Sequence, residues 1–147
     1  MFFDREQSSG YMTNWAARLF ARAMDRRLAP LGLSAAYMPV FFALASGEAL
    51  PQKALAEAAA VEQPTMAATL KRMERDGLIE RRAHPSDGRA ALISLTPLAR
   101  EKLEAVQAAG RSINAIAMAP LTAAERRLYL ELLRKVVGAL SEDGDGR

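Results

Sequence analysis

The stretch His84-Pro85-Ser86-Asp87-Gly88-Arg89-Ala90-Ala91-Leu92-Ile93-Ser94-Leu95-Thr96 (HPSDGRAALISLT) decides the fold. Most of the chain is alanine-rich and reads as helix. Here Pro, Ser, Asp and Gly make a turn. Ala91 to Leu95 then alternates, with Leu92, Ser94 and Thr96 on one face and Ile93 and Leu95 on the other. Leu78 to Arg82, before the turn, alternates loosely. Two short strands around such a turn predict a β-hairpin, with Gly88 permitting the turn and Asp87 and Arg89 at its tip.

Helices surround the hairpin. Tyr11 to Leu28 places Met12, Trp15, Leu19, Ala23, Met24 and Leu28 at spacings of three and four, and Pro30 and Gly32 end it. Ser34 caps a second helix, Ala35 to Ala45, with Met38, Phe41, Phe42 and Ala45 apolar; Pro39 inside it implies a kink or a later start. Gln52 to Ala59 is a short third helix with Leu55 and Ala56 inward, and Val61 follows as a buried turn residue. Glu62-Gln63-Pro64-Thr65 opens a fourth, striped by Met66, Leu70 and Met73 and ended by Asp76-Gly77. Thr96-Pro97 starts a fifth that runs to about Ala119, with Gly110 a place for a bend. Thr122 and Glu125 form a capping box for a sixth, with Leu128, Leu132, Leu133, Val136, Val137 and Leu140 apolar. The acidic, glycine-containing tail after Leu140 is expected to fray.

A chain of 147 residues, half apolar and a quarter charged, supports one packed domain with extra helices. No run of about 18 uncharged apolar residues predicts a membrane span. The N-terminus lacks the apolar stretch of a signal peptide, and we expect a cytoplasmic protein. Zero cysteines exclude disulfides, thiol redox sensing and thiolate-bound zinc. One histidine, His84, is read as an exposed loop residue and gives neither a metal cluster nor a nucleophile–base set. No cofactor, no metal and no catalysis are expected. The net charge of +3 leans basic.

A short helix, a turn, a second helix and a hairpin describe a winged helix-turn-helix. The second helix of such a pair enters the DNA major groove, and the hairpin becomes the wing. Several residues then strengthen the reading. Gln52-Lys53-Ala54-Leu55-Ala56-Glu57, Glu62-Gln63-Pro64-Thr65-Met66, Leu70 to Ile79 (LKRMERDGLI), Asp87-Gly88-Arg89 and Leu95-Thr96 resemble the multiple antibiotic resistance regulator (MarR) family in order and spacing, over residues 34 to 103. The chain departs from the family pattern at Ala67 and Ala68, where many relatives carry a basic residue, and at Pro51, where a capping Thr is frequent.

The resemblance implies a mostly α fold with a small β-hairpin. Residues 34–96 would form the DNA-binding lobe, and 1–33 and 97–147 the dimerisation helices. It implies a homodimer on inverted-repeat double-stranded DNA, acting as a repressor and released by a small aromatic or anionic ligand. The expected DNA-binding residues are Gln63, Pro64, Thr65, Ala67, Ala68 and Thr69 on the exposed first turns of the fourth helix, with Lys71 and Arg72 holding the backbone. Arg89 is expected to enter the minor groove, held by a charge-assisted hydrogen bond that its guanidinium donates to Asp87; the plainer reading is a solvated hairpin tip. Arg81 and Arg82 alternate on a strand, so one at most faces DNA. The implied ligand surface is Tyr11, Trp15, Tyr37, Met38 and Phe41, with Arg18 as its cation; aromatic residues at helical spacing are more often core. The competing function is a winged-helix module that binds protein and no DNA.

Overall fold

The computed structural model describes residues 4–145. Six helices carry the fold: α1 (Ser9–Leu28), α2 (Met38–Leu44), α3 (Gln52–Ala59), α4 (Gln63–Arg75), α5 (Pro97–Met118) and α6 (Ala123–Asp145). Three short strands complete it: β1 (Leu50–Pro51), β2 (Ile79–Ala83) and β3 (Ala91–Leu95). The fold is mostly helical with a small antiparallel sheet, as the sequence predicts. One compact unit ends at Arg111 and a second begins at Ser112, so α5 belongs to both. No single helix among the described residues is long and apolar enough to cross a membrane.

Local chemistry sets the boundaries. The Ser8 hydroxyl accepts from Tyr11 N–H, so α1 starts two residues before the predicted Tyr11. Gly32, at φ +70°, turns the chain out after a 3-10 turn at Ala29–Leu31. Pro39 resolves as a late start: Ala35–Tyr37 form a 3-10 turn capped by Ser34, and α2 begins at Met38. The missing N–H of Pro39 then falls in the first turn, where it has no helical partner to lose. The Thr96 hydroxyl accepts from Ala99 N–H, at 3.2 Å, and donates to Gly77 O, at 2.6 Å. One side chain thereby caps α5 and fastens the end of α4.

The core of the first unit is built on Phe41, Leu44, Leu55, Leu70, Met73 and Ile93, all at most 1 % exposed. α2, α3 and α4 pack in sequence around it, and α4 rests on β2. Ile93 and Leu95 point inward and Leu92 and Ser94 are half-buried, the alternation read from sequence.

Several expectations need correction. The sheet has three strands, ordered β1-β3-β2, because Leu50 and Pro51 pair with Ile93 and Leu92. A proline is tolerated there because β1 is an edge strand. β2 spans Ile79–Ala83, one residue later than expected. Val61 is exposed: Ala60 takes a left-handed φ of +53° and swings the chain outward after α3. Phe42 is 51 % exposed, lying off the Met38–Phe41–Leu44 stripe. Its ring meets Gly110, where an added Cβ would lie 3.5 Å from Phe42 Cζ. That is an ordinary van der Waals distance, and α5 runs through Gly110 as one continuous helix. The acidic tail does not fray after Leu140: α6 continues to Asp145. Gly88 has no positive φ, so the turn at the hairpin tip does not depend on glycine's left-handed freedom.

Candidate nucleic-acid interface

α3 and α4 form the expected helix pair. Two bonds join their beginnings, since Gln52 Nε2 donates to Gln63 O at 3.4 Å and to Gln63 Oε1 at 3.3 Å. Burial of Met66, Thr69, Leu70 and Met73 fixes the rotation of α4. The opposite face then presents Gln63, Pro64, Thr65, Ala68, Lys71, Arg72 and Arg75, with Ala67 half-buried. Thr69 corrects the sequence reading: it is 6 % exposed and stands on the core side. Its spacing of three from Met66 and four to Met73 put it in the apolar stripe, a signal its polar type concealed.

An open groove of about 560 Å³ lies between α4 and β2, lined by Ala67, Lys71, Glu74, Arg75 and Arg81. Arg81 Nε donates to Glu74 Oε2 at 2.6 Å. That bond assigns Arg81, rather than Arg82, to the α4 side of β2. Arg75 and Arg81 are functional candidates that the list drawn from sequence omitted. For Arg75 the signal was present, since it lies four residues beyond Lys71 on the same helical face.

The base of α4 is tied to α2. The Tyr37 hydroxyl donates to Asp76 Oδ2 at 2.9 Å, and the Arg72 guanidinium lies 5.9 Å from the Tyr37 ring centroid. Burial pushes the Tyr37 phenol up from its ordinary value, and the bond to the Asp76 carboxylate adds to the shift. The same bond holds the Asp76 carboxyl below its ordinary value, helped by Arg75. Arg72 is thus partly engaged within the protein.

In the hairpin, the Asp87 carboxylate accepts from the backbone N–H of Arg89, at 3.0 Å. The expected bond to the Arg89 guanidinium is replaced by this Asx-type turn, which shapes the backbone and leaves the side chain exposed. His84 is half-buried rather than exposed, and its Nδ1 accepts from the backbone N–H groups of Ser86 and Asp87, each at 3.1 Å.

The expected ligand residues are not brought together as one exposed surface. Tyr37, Met38 and Phe41 are core residues, Phe41 completely so. Tyr11 and Trp15 are exposed on α1 and stack edge to face, with ring centroids 6.0 Å apart. The cation over both rings is Arg5, at 6.0 and 5.6 Å, in the role expected of Arg18. Arg18 itself is exposed on α1.

Comparison with known proteins agrees with this geometry. Residues 31–90 match the model of the MarR family. The chain is 34 % identical over 100 residues to the transcriptional regulator HosA of Escherichia coli O111:H-, covering 68 % of this chain and 74 % of HosA. It is 33 % identical over 96 residues to the HTH-type transcriptional regulator YwoH of Bacillus subtilis, covering 65 % of this chain and 69 % of YwoH. A probable transcriptional regulator from Pseudomonas aeruginosa superposes with a TM-score of 0.81 at 30 % identity, covering 90 % of this chain and 99 % of that one. These relatives are regulators and not enzymes. A winged helix-turn-helix with a polar, cationic face on its second helix, and relatives of this identity and coverage, place the chain in the MarR family of DNA-binding transcriptional regulators.

Proposed function

We propose that the protein is a homodimeric repressor that binds an inverted-repeat operator and is released by a small aromatic or anionic ligand. The observation that carries the reading is the exposed cationic character of α4 and the hairpin: Lys71, Arg75 and Arg81 line the groove beside a helix whose outer surface is small and polar, and Arg89 is exposed at the hairpin tip. A helix of about 10–12 Å diameter fits a major groove about 12 Å wide. In this complex Gln63, Pro64, Thr65, Ala67 and Ala68 approach base edges and thymine methyls. Lys71 and Arg72 hold phosphates, and Arg89 enters the minor groove from a turn shaped by Asp87. Ala67 and Ala68 offer no hydrogen bond to guanine, so DNA shape carries more of the specificity. Thr69 has no part in the contact.

Residues 34–96 act as the DNA-binding lobe, and 1–33 and 97–147 as the dimerisation helices. The two copies of α4 must then stand about 34 Å apart to enter successive major grooves. A mutant of the E. coli regulator MarR, 25 % identical and solved in complex with operator DNA, supports the DNA role. The regulator PcaV of Streptomyces coelicolor, solved in complex with its natural ligand, supports ligand response. For this chain the ligand surface is Tyr11 and Trp15 on α1, with Arg5 as the cation over both rings. A ligand there releases DNA only by as much as it prefers the non-binding spacing.

Titration of the protein against DNA flanking its own gene, at several salt concentrations, tests the reading. We expect a palindromic footprint and affinity that falls steeply with salt, with a log–log slope of about −0.9 for each phosphate neutralised. Binding without sequence preference and with little salt dependence would instead mark a winged-helix module that binds protein.

A further inference from the structure

The chain's single histidine sits where the hairpin turns. We propose that His84 is the positioning residue of the wing: its unprotonated Nδ1 holds the turn that presents Arg89, and taking up a second proton releases that turn. The proposal rests on the reading of Arg89 as a DNA contact.

Four backbone N–H groups of the loop are bonded within it. Pro85 has none. Those of Ser86 and Asp87 both donate to His84 Nδ1 at 3.1 Å. That of Arg89 donates to Asp87 Oδ1 at 3.0 Å, and that of Ala90 to Asp87 O at 3.2 Å. His84 N–H closes the hairpin on Ala90 O at 3.2 Å. The Ser86 hydroxyl lies 3.2 Å from the same Nδ1. The imidazole therefore fixes Ser86 and Asp87, and Asp87 in turn fixes Arg89. Nothing else in the loop supplies a side-chain acceptor for the first pair of N–H groups.

An imidazole can do this in one state only. With the proton on Nε2, Nδ1 is an acceptor; with both nitrogens protonated, it is a donor aimed at two donors. The charged groups of the hairpin lie in its turn and on one of its strands. Asp87 and Arg89 lie in the turn, Glu80, Arg81 and Arg82 lie on β2, and β3 carries no titratable side chain. Protonation also brings a positive charge toward DNA, which by itself favours binding. The two effects have opposite signs, and the experiment separates them.

Asparagine at position 84 supplies an acceptor for the same N–H groups at every pH. In the free, tag-free protein, nitrogen NMR of the one histidine is expected to show the Nε2–H tautomer. The amides of Ser86 and Asp87 should be protected, relative to intrinsic exchange at the same pH, while the imidazole is neutral, and should lose that protection once it is doubly protonated. His84→Ala should weaken operator binding about fivefold, the worth of roughly one net hydrogen bond, with an unchanged salt slope, and His84→Asn should restore it. With the imidazole doubly protonated, the wild type should bind more weakly than His84→Asn. A Nδ1–H tautomer, or exchange at Ser86 and Asp87 unaltered by His84→Ala, overturns the proposal in the free protein, whatever DNA does. Wild-type affinity rising above that of His84→Asn on protonation also overturns it, and marks His84 as a plain cation for DNA. If Arg89→Ala weakens binding and His84→Ala does not, the wing contact stands and the positioning role falls. If Arg89→Ala has no effect, both fall.

Discussion

The hydroxyl of Tyr37 and the carboxylate of Asp76 join the start of α2 to the end of α4, and their bond adds a pH-dependent contribution to stability. The folded Asp76 titrates below the ordinary 3.8, so its contribution is complete above that value and is lost as pH falls through the lower, folded one. The folded Tyr37 titrates above the ordinary 10.0, so its contribution is complete below that value and is lost as pH rises through the higher one. In Tyr37→Phe the drop in melting temperature between pH 6 and pH 3 should shrink relative to wild type; an unchanged drop would show that the bond is not formed in solution. Arg89 poses the matching question for DNA. Its side chain is exposed, and its loss should weaken operator binding by about tenfold or more, read by anisotropy, with the melting temperature unchanged. Neither partnership was fully legible in sequence. Tyr37 and Asp76 lie 39 positions apart, and no local pattern pairs them. The Asp87–Arg89 proximity was visible, but sequence does not say whether the carboxylate takes the guanidinium or the nearer backbone N–H.

Elements were read more securely than residues, for a physical reason: caps and breakers act locally. α3 has the predicted bounds because Pro51 and Ala60 stand at its ends. The box at the start of α6 is reciprocal, with Thr122 N–H donating to Glu125 Oε1 at 2.9 Å and Glu125 N–H to the Thr122 hydroxyl at 3.2 Å. These bonds hold the Glu125 carboxyl below its ordinary range. Thr122→Ala should cost about 1 kcal/mol of helix stability, seen as increased amide exchange in the first turn of α6. The two-residue β1 escaped the sequence because so short a pairing, with a proline in it, has no periodicity to detect. For α4 the stripe does more than mark a helix, because it sets which side chains face outward. Leu70 is completely buried, and Leu70→Ala should cost about 2–5 kcal/mol in urea unfolding. Its effect on DNA affinity should be small wherever the protein remains folded, since Leu70 is on the face opposite Lys71 and Arg75. A large loss of affinity in the folded variant would mean that the outward face of α4 is set by something other than this stripe.

At the scale of the whole molecule the decisive fact is apolar surface left uncovered. On α6, Leu128, Leu132, Val136, Val137 and Leu140 are all about half exposed or more, and on α1 so are Met12 and Leu19 at 42 % and 50 %. Leu128, Leu132, Val136 and Leu140, each four apart, are expected from sequence to be buried across the two-fold axis of a dimer, and a single copy leaves them open. The periodicity was legible from sequence, but whether a stripe is buried by its own chain or by a second is not written in its spacing. Water-exposed apolar side chains of this number on one helix mark an interaction surface, and the inverted-repeat binding proposed above would take a two-fold partner. Leu132→Glu or Val136→Glu sets a carboxylate on that surface. In the monomer each position is already about half exposed, so folding should be little affected. In a dimer the charge must be buried without a partner, at a cost of about 3–5 kcal/mol. Sedimentation should therefore show a wild-type dimer and a folded monomer for either variant. Operator affinity should fall together with dimerisation, because half an inverted repeat is held by one α4 alone. A variant that still sediments as a dimer would exclude this face of α6 from the interface and leave its exposed leucines and valines to another partner.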